Sequence, residues 1–234
     1  MQGYDRQKLY DAVSMGQPVE GEDLRRLDLS GLDLGGANLR GSDLRNTNLA
    51  GTNFEEAHLE RVKLEGASLK DTNFTGAHLS EITLRDADIS SCILTRVTAL
   101  DSHFLRINLS GQDLSKSKLS GSTIIYSTFK DVDASESELK NMKILFCLIE
   151  SCTLDKCDLS KTNFGLTRFK NTSINNATLG KTSFMASSIE DVQVKNGTLE
   201  TVDFTLAQVQ GFDVTDSKQR DIIMERATIK NLKR

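Results

Sequence analysis

Hydrophobic residues recur at every fifth position in one unbroken register from Leu24 to Ile229. Of these 42 positions, 20 are Leu, 8 Phe, 7 Ile and 3 Val; only Ala99, Ala134, Gln219 and Met224 depart. A period of five fits neither the 3.6-residue turn of a helix nor the two-residue alternation of a strand. It requires a chain that turns a corner after every five residues. An internal repeat of this reach also overrides the usual relation between length and domain number.

A second column lies two residues before each centre. Ala, Ser, Thr, Val, Cys or Gly fills 33 of its 42 positions. The residue just before each centre is often Asp or Asn, and Gly, Asn or Asp often follows two residues after it, as in ANLRG (37–41), SDLRN (42–46), TNLAG (47–51), TNFTG (72–76) and CDLSK (157–161). A large side chain at mid-side fills an interior, and a small one fits where the chain crowds its axis. Asn, Asp and Gly tolerate tight turns. Stacked coils join through main-chain ladders about 4.8 Å apart. Proline would delete a ladder donor, and the single proline, Pro18, precedes the register.

These blocks resemble the pentapeptide-repeat family, with its A(D/N)LXX consensus, over residues 22–229. The resemblance implies an all-β fold, a right-handed quadrilateral β-helix with four pentapeptides per lap, and so about 10 coils. The division expected is 1–21 for an N-terminal capping helix and linker and 22–234 for the β-helix. Leu9, Ala12, Val13 and Gln17 fall at helical spacing, and Gly16 with Pro18 suits a helix end. A cap shields the open end of a repeat rod.

With four sides per lap, residues twenty apart stack. Sorting the two residues after each centre by side leaves three sides polar apart from Leu100. The fourth starts polar (Arg25, Arg45, Glu65, Arg85). It then presents Leu105, Ile125, Tyr126, Leu145, Phe146, Leu166, Met185 and Leu206 before returning to Glu225 and Arg226. Six coils would thus carry an apolar stripe about 24 Å long. Contiguous apolar surface of that kind marks a binding site. These eight residues are the candidate protein-interaction surface.

Composition narrows the chemistry. The net charge of −4 comes from 29 basic and 33 acidic residues, and neither half of the chain carries a strong field. Direct nucleic-acid binding is therefore not expected. No stretch is long and apolar enough to span a membrane, and the start of the chain lacks the apolar region of a secretory signal. Cytoplasmic location is expected, with signal-independent secretion as the other route. Cys92, Cys147, Cys152 and Cys157 all fall in the small column, which reads as packing rather than metal binding. His58 and His78, twenty apart, should stack on a polar side. No metal site, cofactor, phosphate loop, nucleophile elbow or zinc motif is expected, and no catalytic residues are assigned.

The leading expectation is a non-enzymatic protein-interaction module, a rigid scaffold that self-associates through its apolar side as a homodimer or binds another protein there. The family resemblance implies two alternatives. Qnr-type and mycobacterial fluoroquinolone-resistance members mimic DNA and bind type II topoisomerase (gyrase); this chain shares their repeat but lacks strong charge, loop insertions and a clear C-terminal dimer helix. Other members serve bacterial type III or type VI secretion systems as accessories or effectors.

Overall fold

The computed structural model describes residues 3–234. Its main-chain pairing repeats every twenty residues, from Asp23↔Asp43 to Asp213↔Lys233, always parallel. A lap of four five-residue sides is therefore the building unit, as the resemblance implies. In each rung the centre residue donates upward and the next coil donates back: Leu24 N–H to Asp43 O and Asp43 N–H to Glu22 O, both at 2.9 Å.

Each part of the five-residue block has a bonding task. The Asp or Asn before a centre accepts from the N–H two residues on, as Asp28 does from Ser30 and Asn53 from Glu55. This side-chain turn bends the chain toward the corner. The corner residue takes a left-handed backbone, with glycine at Gly31, Gly41 and Gly51. The small column then points inward. Its hydroxyls donate to the centre carbonyl one coil below: Ser42 to Val19, Thr52 to Leu29 and Thr182 to Leu159. Most hydroxyls of this column are paired, within the coil or to the one below; Ser117 Oγ is buried without a partner.

The interior is one continuous apolar column of Leu, Ile, Phe and Val centres. Phe164, Phe184 and Phe204 stack at 5.3 and 5.2 Å along it. Short strands form at some of the sides where the residue before the centre is not Asp or Asn. Thr83–Arg85, His103–Leu105, Thr123–Ile125 and Lys143–Leu145 form a four-stranded parallel sheet, and six strands from Thr128–Lys130 to Thr228–Lys230 form another. Strand-paired coils thus span about seven laps from Thr83 to Lys230, fewer than the 10 coils expected. The laps from Asp23 to Thr83 are held by isolated bridges and turns.

The helix, α1, covers Arg6–Ser14. Asp5 caps it by accepting from Lys8 N–H at 2.9 Å. Leu9 and Ala12 are buried, Val13 is partly so, and Arg6 donates to Asp28 O and Ser30 O at 2.8 Å. Gln17 lies beyond the helix and is exposed, contrary to the helical spacing. The core register instead begins one step early. Val19 is a buried centre bonded to Asn38 O at 2.8 Å.

The ladder is interrupted around Ile89. Among the described residues no bridge joins the sides centred on Leu64 and Leu69 to those centred on Leu84 and Ile89, and none joins the sides centred on Ile89 and Leu94 to those centred on Leu109 and Leu114; the register is kept, as Asn73↔Ile93 and Asn108↔Thr128 show. Side chains take up some of the released groups: Ser91 Oγ accepts from Asp71 N–H at 2.8 Å, and buried Gln112 donates to Ser90 O at 2.9 Å. A cavity of about 50 Å³ lies here, lined by Leu64, Leu69, Leu84, Ile89 and Ala99 among others. A smaller one of about 30 Å³ touches Ala134. Each alanine stands where the register puts a large centre. Two wide residues of the small column, Ile82 and Ile107, line the first cavity.

Filling the larger void should stabilise the fold. Ala99→Val is expected to add about 1 kcal/mol, read as a higher urea midpoint at unchanged slope. A lower midpoint would mean that the walls cannot accommodate the added methyls.

Candidate functional site: an apolar edge

The side that the sequence marks as apolar forms one face and one edge of the solenoid. The strands pair His103–Leu105 with Thr123–Ile125, and those with Lys143–Leu145, so Leu105, Ile125 and Leu145 stack in register. All three are half-buried. Leu145 leans into the notch left by Gly165; its Cδ2 lies 3.6 Å from where a β-carbon on that glycine would stand. These residues form the floor of the surface rather than its summit.

The summit is the corner column. Tyr126, Phe146, Leu166 and Leu206, together with Met185, are between 45% and 57% exposed. Tyr126 and Phe146 stack at 5.0 Å, with rings 26° apart. Tyr126, Phe146, Leu166, Ala186 and Leu206 all have φ between 53° and 61°. That left-handed region costs a side chain on the order of 1 kcal/mol. The other non-glycine corners hold Arg, Lys, Asp, Asn, Glu, Ser or Thr. Among the described residues, large apolar side chains occupy left-handed corners only on this edge, at Tyr126, Phe146, Leu166 and Leu206, with Ala186 in the coil between the last two. The Phe164–Phe184–Phe204 stack lies directly inside it and gives it a packed backing.

Charge borders the edge. Below Tyr126, Arg106 grips Asp86 with two bonds of 2.6 Å, which hold the Asp86 carboxyl below its ordinary range. Beyond Leu206 come Glu225 and Arg226. Ile223, 43% exposed, extends the apolar side by one coil, and Ile93 is an exposed apolar residue on another side. Both stand just before a centre, a position that also faces outward. The sequence sorting counted only the two residues after each centre and so missed them.

The cysteines lie where the small column requires. Cys92 and Cys157 donate to Leu69 O and Ala134 O, as serine or threonine does elsewhere. Burial pushes Cys92 and Cys157 up to about 12 and Cys147 and Cys152 up to about 11. His58 and His78 stack at 4.8 Å as expected. Glu60, two residues past His58, lies beside them; the sequence reading did not include it. No helix among the described residues is long and apolar enough to cross a membrane.

Comparison with known proteins places this geometry. The family model described as pentapeptide repeats matches residues 23–61 and 57–96. The chain carries pentapeptide repeats, and the structure continues the same twenty-residue lap beyond the matched stretch to Lys233. No curated protein matches the sequence. Among solved structures, HetL, a pentapeptide repeat protein involved in heterocyst differentiation regulation in the cyanobacterium Nostoc sp. strain PCC 7120, superposes with a TM-score of 0.52 at 19% identity, covering 97% of each chain. QnrB1, a plasmid-mediated fluoroquinolone resistance protein, matches at a TM-score of 0.37 and 17% identity, over 88% of this chain and 91% of its own.

Thiol chemistry gives a direct check on the interior. Since the thiolate is the reactive form, a chromogenic disulfide reagent at pH 8 is expected to titrate none of the four cysteines in the folded protein and all four in denaturant. Rapid modification of any one in the native state would contradict its burial.

Proposed function

We propose that the protein is a non-enzymatic interaction scaffold that binds a protein partner along the edge formed by Tyr126, Phe146, Leu166, Met185 and Leu206. One observation carries this reading: four large apolar residues occupy exposed left-handed corners in a single column, where polar residues or glycine stand elsewhere. Such placement lowers the stability of the isolated chain and exposes apolar area to water. It is advantageous when a partner covers that area. The row is rigid, because its spacing is that of the coils, and aromatic and leucine side chains are effective anchors. A second copy of the chain is the simplest partner, since a self-complementary patch closes with two-fold symmetry.

The strained corners separate this reading from a purely structural one. Asparagine tolerates the left-handed region. Tyr126→Asn, Phe146→Asn and Leu166→Asn combined are therefore expected to leave the urea midpoint unchanged or raise it by up to about 1 kcal/mol per site, while abolishing self-association in light scattering or partner capture. A loss of stability above about 2 kcal/mol would show that the side chains serve as wall, and unchanged association would remove the proposal. A gyrase supercoiling assay separates it from topoisomerase mimicry: the apolar edge gives no inhibition.

A further inference from the structure

On the side opposite in chemistry to the apolar edge, a cluster remains that this function does not use. Asn38, His58, His78 and Thr98 stack in successive coils. His58 and His78 stand ring on ring at 4.8 Å. Glu60 turns toward them, its Oε1 3.6 Å from His58 Nδ1. One donor atom from each of His58, Glu60 and His78 lies within 4.8 Å of the other two, and all three residues are half-buried. We propose that these three side chains form a binding site for a first-row transition-metal dication, with Zn²⁺ as the reference ion, and that Arg40 occupies the site as a built-in competing cation.

The donor set is the first argument. Two imidazoles and a carboxylate suit Zn²⁺ and its neighbours and do not suit Mg²⁺ or Ca²⁺. Bonds of 2.0–2.1 Å in a tetrahedron require donors about 3.3 Å apart. His58 Nδ1 and Glu60 Oε1 are already near that spacing, and His78, whose donor atom lies within 4.8 Å of theirs, reaches it by a side-chain movement of at most about 1.5 Å. The fourth position would be held by water.

The second argument is what Arg40 does now. Its Nη2 lies 2.7 Å from His58 Nδ1 and 3.1 Å from Glu60 Oε1, and its Nε lies 3.1 Å from Glu60 Oε2. A guanidinium only donates, so His58 Nδ1 accepts in this contact. An imidazole lone pair and a carboxylate thus already converge on a cation. Glu60 Oε2 is buried and, despite the nearby guanidinium, makes no hydrogen bond of acceptable geometry. Arg40 is held by these contacts alone at its charged end, on a flexible and one-third exposed side chain. It can leave without disturbing the ladder.

The test uses untagged full-length protein and ZnCl₂, by calorimetry and by two-dimensional NMR of the histidine rings. The chain has three histidines, so His103 is an internal control. One Zn²⁺ per chain is expected, shifting the His58 and His78 rings and leaving His103 unmoved. H58A and H78A should each weaken binding at least ~10-fold, by analogy with the loss of metal-supporting contacts. R40Q should tighten it by a comparable factor, because the competing cation is gone. The proposal is overturned if R40Q leaves affinity unchanged or weaker, or if zinc shifts His103 as much as the other two. Should an alanine variant fail to fold, the wild-type ring shifts and R40Q still decide.

Discussion

Everything in this protein depends on a ladder that must meet itself after twenty residues. Each coil offers its N–H and C=O groups to the coils above and below, and the next lap must present complementary groups at the same height. Unpaired main-chain groups inside a protein are costly. The lap length therefore cannot drift. This constraint forces the five-residue side, the inward leucine and the small residue whose hydroxyl satisfies the carbonyl below it. Residues distant in sequence, such as Tyr126 and Phe146, become neighbours for the same reason.

The corners are where that constraint leaves freedom. Their backbone is left-handed whatever side chain is present, so the side chain there points outward and contributes little to the interior. Most corners use this freedom for solubility with Asp, Asn, Lys or Arg. A single column does not, and at the polar side two histidines and a glutamate gather around an arginine. Both features use the same device, a vertical row set by the lap, with different chemistry mounted on it.

Much of this was legible in the sequence, because one inward column is read at fixed intervals. The centres, the small column and the exposed row at Tyr126, Phe146 and Leu166 follow from the register alone. What escaped lay at places where the register is silent. Val19 was hidden because its lap begins beside Gly16 and Pro18, which read as a helix end. Glu60 was overlooked because outward carboxylates are common and only the fold shows which one bends toward His58. Leu105, Ile125 and Leu145 were legible as outward residues but not as half-buried ones, since the neighbouring coil, including the notch at Gly165, decides how far each leans. The reduced number of strand-paired laps reflects the Asp and Asn turns, which replace extended backbone near the start of the chain.

The parting between the sides at Leu64–Leu69 and Leu84–Ile89 reaches beyond its cavity. In a stack where each unit touches only its neighbours, cooperativity passes through nearest-neighbour coupling. Two of the four rungs are missing at each of two successive levels, which weakens that coupling around Ile89. The weak point separates the coils continuous with the N-terminal helix from those that carry Tyr126 to Leu206. Melting that starts beside the N-terminal helix meets these missing rungs before it reaches Tyr126, so the apolar row lies on the far side of the weakest coupling in the stack.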